Sequence, residues 1–257
     1  MKIVGAMQVG GNCSWILPKS LDNLASIVDE IVVVGSGIVS QETIKIVNQN
    51  SNVIAKHFQN QEEPRIEWND MNLLLKMSQQ RNADWILFMD ADETFEPRLK
   101  NQIQQLVNTL DVGMYKFKKF WLWKSKEYYR TDHPEKYSTI AYNTYLVRST
   151  SSLRFPNPAG SFLKRVVKHL IGKEKLKPYF GREPITGILG KVIETDIVVL
   201  HHAALNWNQF VKSQMWYAAL LTKRQPRRPE LDIIEQQFKI LDESTLELKP
   251  VKKEWFD

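Results

Sequence analysis

The first hundred residues alternate short apolar runs with longer stretches whose apolar residues recur at helical spacing. The apolar runs are Ile3–Val9, Glu30–Gly35, Asn52–Phe58 and Trp85–Met89. The stretches with helical spacing are 15–27, 42–48, 69–80 and 98–110. Strands that alternate with helices in this way are typical of βα units. The pattern therefore predicts a mainly parallel sheet flanked by helices.

The pattern changes after Gly113, where aromatic and basic residues take over. The segment MYKFKKFWLWKSKEYY alternates apolar and cationic residues, which predicts an antiparallel strand with one solvated face. The segment 161–177 has apolar residues on one side and cations on the other, which indicates a basic surface helix or, alternatively, an interfacial membrane helix. An amphipathic helix is predicted over 207–223. Because no Gly/Ser or Pro linker separates the halves, we predict a single domain.

Composition and charge limit the kind of protein. The 257 residues contain one cysteine, Cys13, which excludes an intramolecular disulfide and is best interpreted as a small apolar filler. The sequence has no run of eighteen uncharged apolar residues and no signal-peptide pattern, so we expect a cytoplasmic protein, with peripheral contact at the inner face of the membrane as an open alternative. Residues 111–182 hold sixteen lysines and arginines against five acids, which suits a nucleic acid, a membrane surface or a phosphate-bearing substrate.

An acidic motif, Asp90-Ala91-Asp92-Glu93, directly follows the fourth apolar run. In an open parallel sheet, ligands bind beyond the carboxyl ends of the strands, which is where these residues are expected. Two carboxylates separated by one residue suit Mg²⁺ or Mn²⁺ bound together with a diphosphate. The alternative is an acidic helix start before Pro97.

Three segments give the chain a resemblance to family 2 glycosyltransferases, enzymes of the GT-A fold that transfer sugar from a nucleotide-sugar. They are NCSWILPKSLDNL, which begins at Asn12, EIVVVGSGIVSQETIKIV, and WNDMNLLLKMSQQRNADWILFMDADE. They resemble the helix after the first strand, the second strand with its turn, and the segment that leads into the D-x-D motif. The resemblance covers residues 2–110.

The resemblance implies a GT-A-like (Rossmann-like) α/β fold with a C-terminal helical segment. Residues 1–110 would form the nucleotide-sugar-binding half, 111–205 the acceptor side and 206–257 a helical extension. Asn12 would lie at the donor site, Asp90 would approach the donor ribose and the metal, and Asp92 would bind Mn²⁺ or Mg²⁺ between the phosphates. Asp70 and Asn72 would face the nucleotide, or else form a solvated helix face.

The second half supplies the remaining candidates. An inverting transfer needs a second carboxylate as base, and we nominate Asp132, with a surface ion pair to Arg130 or a nearby lysine as the alternative. His201, at a strand end, is a candidate metal ligand or diphosphate contact, or else a hydrogen-bonded structural histidine. Arg130, Arg148 and Lys164 are candidates for contacting phosphate or an anionic acceptor. The aromatic residues of FWLWKSKEYY would stack on sugar or, more simply, belong to the core.

The predicted activity is transfer of a sugar from a UDP- or GDP-sugar to a glycan or lipid-linked acceptor, as in cell-envelope polysaccharide synthesis, without nucleic acid as a partner. One departure keeps rivals open: the second-strand turn, GSGIVSQET, lacks the aspartates that the family uses to contact the nucleoside. A nucleotide-sugar-binding protein without catalysis is one rival. A nucleotidyltransferase is another, although MQVGGNCSW lacks its glycine-rich basic loop. A nucleic-acid-binding module that uses the positive half is the third.

Overall fold

The computed structural model describes residues 1–58, 67–132, 140–156, 185–224 and 229–256. The described strands are β1 Ile3–Gly11, β2 Glu30–Val39, β3 Val53–Phe58, β4 Trp85–Asp90, β5 Glu93–Phe95, β6 Val112–Trp121, β7 Tyr128–Arg130, β8 Ile140–Arg148, β9 Lys191–His201 and β10 Leu248–Pro250. The described α-helices are α1 Leu17–Ala25, α2 Gln41–Gln49, α3 Glu67–Gln80, α4 Arg98–Asn108, α5 Trp207–Arg224 and α6 Glu230–Phe238.

One sheet of eight strands, in the order β3-β2-β1-β4-β8-β6-β9-β5, forms the centre of the molecule. The strand pairs β3–β2, β2–β1, β1–β4 and β6–β9 are parallel, and the pairs β4–β8, β8–β6 and β9–β5 are antiparallel. The prediction of an α/β fold with a mainly parallel central sheet, flanking helices and a C-terminal helical segment is confirmed. The sheet joins strands from both sides of residue 110.

Helices cover both faces of the parallel half because their apolar residues recur every three or four positions. On one face, α1 buries Leu17, Leu21 and Leu24 and α4 buries Leu99, Ile103 and Val107 against the sheet. On the other face, α3 buries Met71, Leu74 and Leu75. Full burial of one such side chain contributes about 1.5–3 kcal/mol, so these contacts fix the helices on the sheet.

Strand register brings distant residues to one edge of the sheet. The parallel pairing of β1 and β4 sets Gln8 opposite Asp90. The chain then turns back into the short strand β5, whose antiparallel pairing with β9 sets Glu93 opposite His201. The carboxyl ends of β1, β4 and β9 therefore lie next to the acidic motif.

Other predictions have mixed outcomes. The predicted antiparallel strand after Gly113 is β6; its antiparallel neighbour is β8, whereas its other neighbour, β9, runs parallel. The predicted helix over 207–223 is α5. The basic segment 161–177, with Lys164, lies outside the described residues. None of the helices in the described ranges is long and apolar enough to cross a membrane.

Candidate functional site

The acidic motif forms a tight turn between β4 and β5 rather than a solvated helix start. The backbone N–H of Asp90 donates to Glu93 Oε2 at 3.0 Å, and the N–H of Ala91 donates to the carbonyl of Gln8 at 3.2 Å. These hydrogen bonds stabilise the turn by which the chain leaves β4 after Asp90 and enters β5 at Glu93. Both Asp90 and Asp92 are half-buried at the edge of the sheet.

Glu93 is the fully buried member of the motif. Its Oε1 accepts a hydrogen bond from the Tyr145 hydroxyl at 2.9 Å, and the Lys119 ammonium lies 3.8 Å from the same oxygen. A buried carboxylate is tolerated when its oxygens are hydrogen-bonded, and the contacts to Asp90 and Tyr145 meet that need. The buried Glu93 side chain therefore stabilises the turn by linking the Asp90 backbone to Tyr145 on β8.

His201, at the end of β9, faces Asp92. Its Nε2 is 3.5 Å from Asp92 Oδ2, and the Trp121 ring packs on the imidazole at a centroid distance of 4.2 Å. Its Nδ1 is buried and has no hydrogen-bond partner among the described residues. The neighbouring His202 has structural contacts. Its backbone N–H donates to the Asp92 carbonyl at 2.8 Å, and its ring Nε2 lies 2.8 Å from Thr94 Oγ1.

The electrostatics of this edge are dominated by acids. Burial raises the pKa of Asp92, the carboxylates of Asp90 and Glu93 raise it further, and His201 and Lys119 oppose the shift. Burial lowers the pKa of His201 although Asp92 opposes this, which favours the neutral imidazole. A neutral imidazole beside a carboxylate is a pair that can bind a cation.

Asp70 does not lie on the solvent-exposed face of α3. It is fully buried, and Oδ2 accepts hydrogen bonds from the Ser36 hydroxyl and, at 3.1 Å, from Gln8 Nε2. The reason is that Asp70 lies one helical turn before Leu74, on the face of α3 that packs against β1 and β2. The alternative of a solvated helix face is therefore wrong for Asp70, whose carboxylate joins the ends of β1 and β2. Its contact with a nucleotide stays a prediction.

Asn72 is engaged with backbone groups. Its Nδ2 donates to the carbonyls of Trp68 at 2.7 Å and Phe155 at 2.8 Å, and its Oδ1 accepts from the Phe155 N–H at 2.9 Å. Both of its N–H donors are used in these bonds. They fix the segment at Phe155 to α3, so the structure supports a structural role for Asn72 and gives no support to the predicted nucleotide contact.

Asn12 lies at the open side of the edge, in the loop between β1 and α1. Its Oδ1 accepts a hydrogen bond from the Ser14 hydroxyl at 2.7 Å, and its Nδ2 lies 3.4 Å from Glu42 Oε2. Its carbonyl accepts from Gln209 Nε2 of α5 at 3.2 Å. Nearby Gly37, in the second-strand turn, has a φ of +63°, a conformation that favours glycine.

Asp132 forms a buried ion pair with Arg130. The guanidinium donates to both carboxylate oxygens, at 2.6 and 2.7 Å, and also to the carbonyls of Ile240 and Asp242, at 2.7 and 2.6 Å. Although burial opposes ionisation, the hydrogen bonds from Arg130 lower the pKa of Asp132. A carboxylate held in this way is a weak proton acceptor. The ion-pair alternative is therefore the one that the structure supports, except that the pair is buried rather than exposed.

The other candidates, Arg148 and the aromatic residues of the segment 120–129, mostly make structural contacts. Arg148 donates to the Val112 carbonyl at 2.9 Å and lies over the Trp85 ring at 4.7 Å, so its head packs within the fold. Of the aromatic candidates, Phe120 and Trp123 are core residues, whereas Trp121 is half-buried beside His201. Only Trp121 among these three therefore borders the acidic edge.

Comparisons with known proteins give a partial similarity. No family model matches the chain. It is 26% identical over 180 residues to an uncharacterized glycosyltransferase of Mycoplasma pneumoniae, an alignment that covers 66% of this chain and 56% of that protein. The chain thus spans a little over half the length of this curated relative.

Two solved structures have similar folds at low scores. The crystal structure of S. aureus TarS 1-349 in complex with UDP has a TM-score of 0.47 and 14% identity, covering 95% of this chain and 71% of that one. A putative glucose-1-phosphate thymidylyltransferase from Bacillus anthracis has a TM-score of 0.41 and 12% identity, covering 82% and 95%. These scores are too low to assign a function.

Proposed function

We propose that this protein is a glycosyltransferase that uses a nucleotide-diphosphate sugar and a divalent cation. The observation that carries the proposal is the approach of Asp92, from the turn after β4, to His201, from the end of β9, with 3.5 Å between Oδ2 and Nε2. The partial similarity to a protein named as a glycosyltransferase supports the same activity. The motifs that resemble family 2 enzymes of the GT-A fold agree with it.

The side chains of Asp92 and His201 are of the kinds that bind divalent cations. Asp92 offers carboxylate oxygens and His201 an imidazole nitrogen, and the excess of acids would be relieved by positive charge. No three His, Cys, Asp or Glu side chains in the described ranges lie close enough to hold a metal by themselves. We therefore propose that Asp92 and His201 would hold Mn²⁺ or Mg²⁺ together with the diphosphate, and that Asp90 would approach the metal and the donor ribose. The cation would act as a Lewis acid toward the departing diphosphate.

The proposed reaction is an inverting transfer. The acceptor hydroxyl oxygen forms a bond to the anomeric carbon while the bond from that carbon to the diphosphate oxygen breaks. The diphosphate departs with the electron pair, and a base takes the hydroxyl proton. Asp132 is a poor choice for this base because both of its oxygens accept hydrogen bonds from Arg130.

For the acceptor we propose a glycan or a lipid-linked sugar, as in the synthesis of cell-envelope polysaccharide. The excess of basic residues in 111–182 supports an anionic or membrane-borne acceptor. It also agrees with a protein that acts in the cytoplasm, in peripheral contact with the inner face of the membrane. Asn12, at the open side of the site, is the residue that we propose to contact the donor.

Calorimetric titration of UDP and GDP, with and without Mn²⁺, into the wild type and Asp92→Asn tests this proposal. We expect the wild type to bind one of the two nucleotides with Mn²⁺, and the substitution to weaken that binding at least about 10-fold, because loss of an outer-shell partner of a metal site already costs about 10–100-fold. Asp196→Asn is the matched control, because the Asp196 side chain is 83% exposed and pairs with Arg98 away from the motif.

The outcomes separate the parts of the proposal. Absence of binding to both nucleotides by a folded wild type would refute a nucleotide-sugar site. Binding that needs no Mn²⁺ and is unchanged in Asp92→Asn would refute the metal site. Binding without release of nucleotide from any UDP- or GDP-sugar, in the presence of glycan acceptors, would favour a binding protein without catalysis.

A further inference from the structure

Lys119 is a basic residue on the apolar side of a central strand. On β6 it alternates with Phe117 and Trp121, which both belong to or border the core, whereas Lys116 and Lys118 occupy the other positions. The pairing of β6 with β9 sets Trp121 opposite His201. Lys119 therefore lies on the same face of the sheet as the site residues, one step further from the strand end.

The ammonium of Lys119 has few interactions for its degree of burial. The side chain is 17% exposed, and its one ion-pair contact among the described residues is to Glu93 Oε1 at 3.8 Å, which is longer than a hydrogen bond. In the described part of the chain, Nζ makes no hydrogen bond. The Glu93 oxygens already accept from Tyr145 and from the Asp90 amide. The three N–H donors of this ammonium can therefore be used by the oxygens of a bound anion.

The same ammonium belongs to the electrostatic environment of the proposed metal site. It lies over the Trp121 ring, 5.6 Å from the centroid, and that ring packs against His201. Its nearest carboxylate oxygen among the described residues is Glu93 Oε1, which belongs to the acidic motif. Lys119 is therefore a fixed positive charge beside the acids at the edge where a diphosphate would bind.

We propose that Lys119 binds the diphosphate of the nucleotide and stabilises the negative charge that the diphosphate gains when its bond to the anomeric carbon breaks. This inference rests on the proposed function and adds a cation to it that belongs to the protein itself. An ammonium at this position satisfies its donors with phosphate oxygens when the nucleotide is bound. It also gives the site affinity for diphosphate that does not depend on the metal.

A purely structural role for Lys119 makes a different prediction. If the ammonium served only to neutralise Glu93, its removal would lower the melting temperature but would weaken diphosphate, monophosphate and nucleoside binding equally. If it contacts the diphosphate, the loss of affinity must grow with the number of phosphates on the ligand.

The test is calorimetry on Lys119→Met, Lys119→Arg and the control Lys118→Met. Lys118 is the adjacent residue on the opposite face, where its ammonium lies over the Phe120 and Tyr142 rings. The ligands are the diphosphate that the wild type binds, UDP or GDP, with the corresponding monophosphate and nucleoside, each with Mn²⁺ and with EDTA. We expect Lys119→Met to weaken diphosphate binding about tenfold or more and to leave nucleoside binding unchanged. Lys119→Arg should keep most of the affinity, and Lys118→Met should match the wild type.

Equal diphosphate affinity in Lys119→Met and the wild type would overturn the inference while leaving the proposed function intact. Absence of diphosphate binding by the folded wild type would overturn both. If Lys119→Met does not fold, Lys119→Gln keeps a polar group at the position, and unchanged diphosphate affinity in that variant would likewise overturn the inference.

Discussion

Removal of the Asp132 carboxylate should destabilise the protein rather than abolish its chemistry. Arg130 is completely buried, and the Asp132 side chain is 7% exposed. The guanidinium also donates to the carbonyls of Ile240 and Asp242, and Thr245 Oγ1 donates to Asp132 Oδ2 at 3.1 Å. Together these contacts attach the segment 240–245 to the end of β7. In Asp132→Ala the buried guanidinium loses its counter-charge.

The size of the effect follows from these contacts. Removal of one partner of a buried ion pair destabilises a protein by about 3–5 kcal/mol. Because Arg130 keeps two carbonyl acceptors, we expect the lower end, a loss of about 3 kcal/mol in the free energy of unfolding. With a urea m-value of about 3 kcal/mol/M, the unfolding midpoint would fall by about 1 M.

Urea unfolding followed by tryptophan fluorescence measures this change, with Glu254→Gln as the control. Glu254 pairs with Lys252 at the surface, where the two side chains are 70% and 64% exposed, so its loss should cost less than about 0.5 kcal/mol. Sugar transfer below the unfolding transition is then assayed. A midpoint unchanged from the wild type, together with loss of transfer in Asp132→Ala, would refute the ion-pair account and restore Asp132 as the catalytic base.

Two further predictions follow from buried or paired groups. Burial raises the pKa of the Cys13 thiol to about 11, so alkylation by iodoacetamide at pH 8 should be slow in the folded protein and fast in urea; equal rates would contradict the burial of Cys13. Hydrogen bonds from Arg81 and Lys2 lower the pKa of Glu30 to about 2, so its stabilisation should be complete above about pH 4.5 and decrease as the pH falls toward 2. The difference in unfolding free energy between the wild type and Glu30→Gln should therefore shrink from pH 6 to pH 3.5, and a constant or growing difference would contradict the pairing.

The parallel half of the sheet could be predicted because its signals are local. The four apolar runs of the first ninety residues coincide with β1 to β4, and the helices between them follow apolar spacing of three to four residues. The strand β5 could not be predicted, since it has three residues, begins at the last residue of the acidic motif and pairs with β9 about a hundred residues later. Short strands of this kind are defined by their partner rather than by their own sequence.

The candidate site residues show the same difference between positions set by local sequence and positions set by distant pairing. The local pattern predicts Asp90 and Asp92 at a strand end, and β4 does end at Asp90. The solvated alternative for Asp70 is wrong, and the sequence contains the signal against it: Asp70 precedes the buried Leu74 by four residues and so shares its helical face. Lys119 is not among the residues predicted from the sequence, although its place between Phe117 and Trp121 in the alternation of β6 distinguishes it from its basic neighbours.

The candidate site is completed by the half of the chain that lies beyond the family resemblance. That resemblance extends to residue 110, yet His201 reaches Asp92 from β9 and Lys119 reaches Glu93 from β6. The positions of His201 and Lys119 depend on two strand pairings, β6 with β9 and β9 with β5. The register of these pairings determines how far the two side chains lie from the acidic turn. A one-residue slip in either pairing would turn the imidazole or the ammonium to the opposite face. The charge balance of the edge is therefore set by the register of β9, and this strand is as important to the proposed activity as the acidic motif itself.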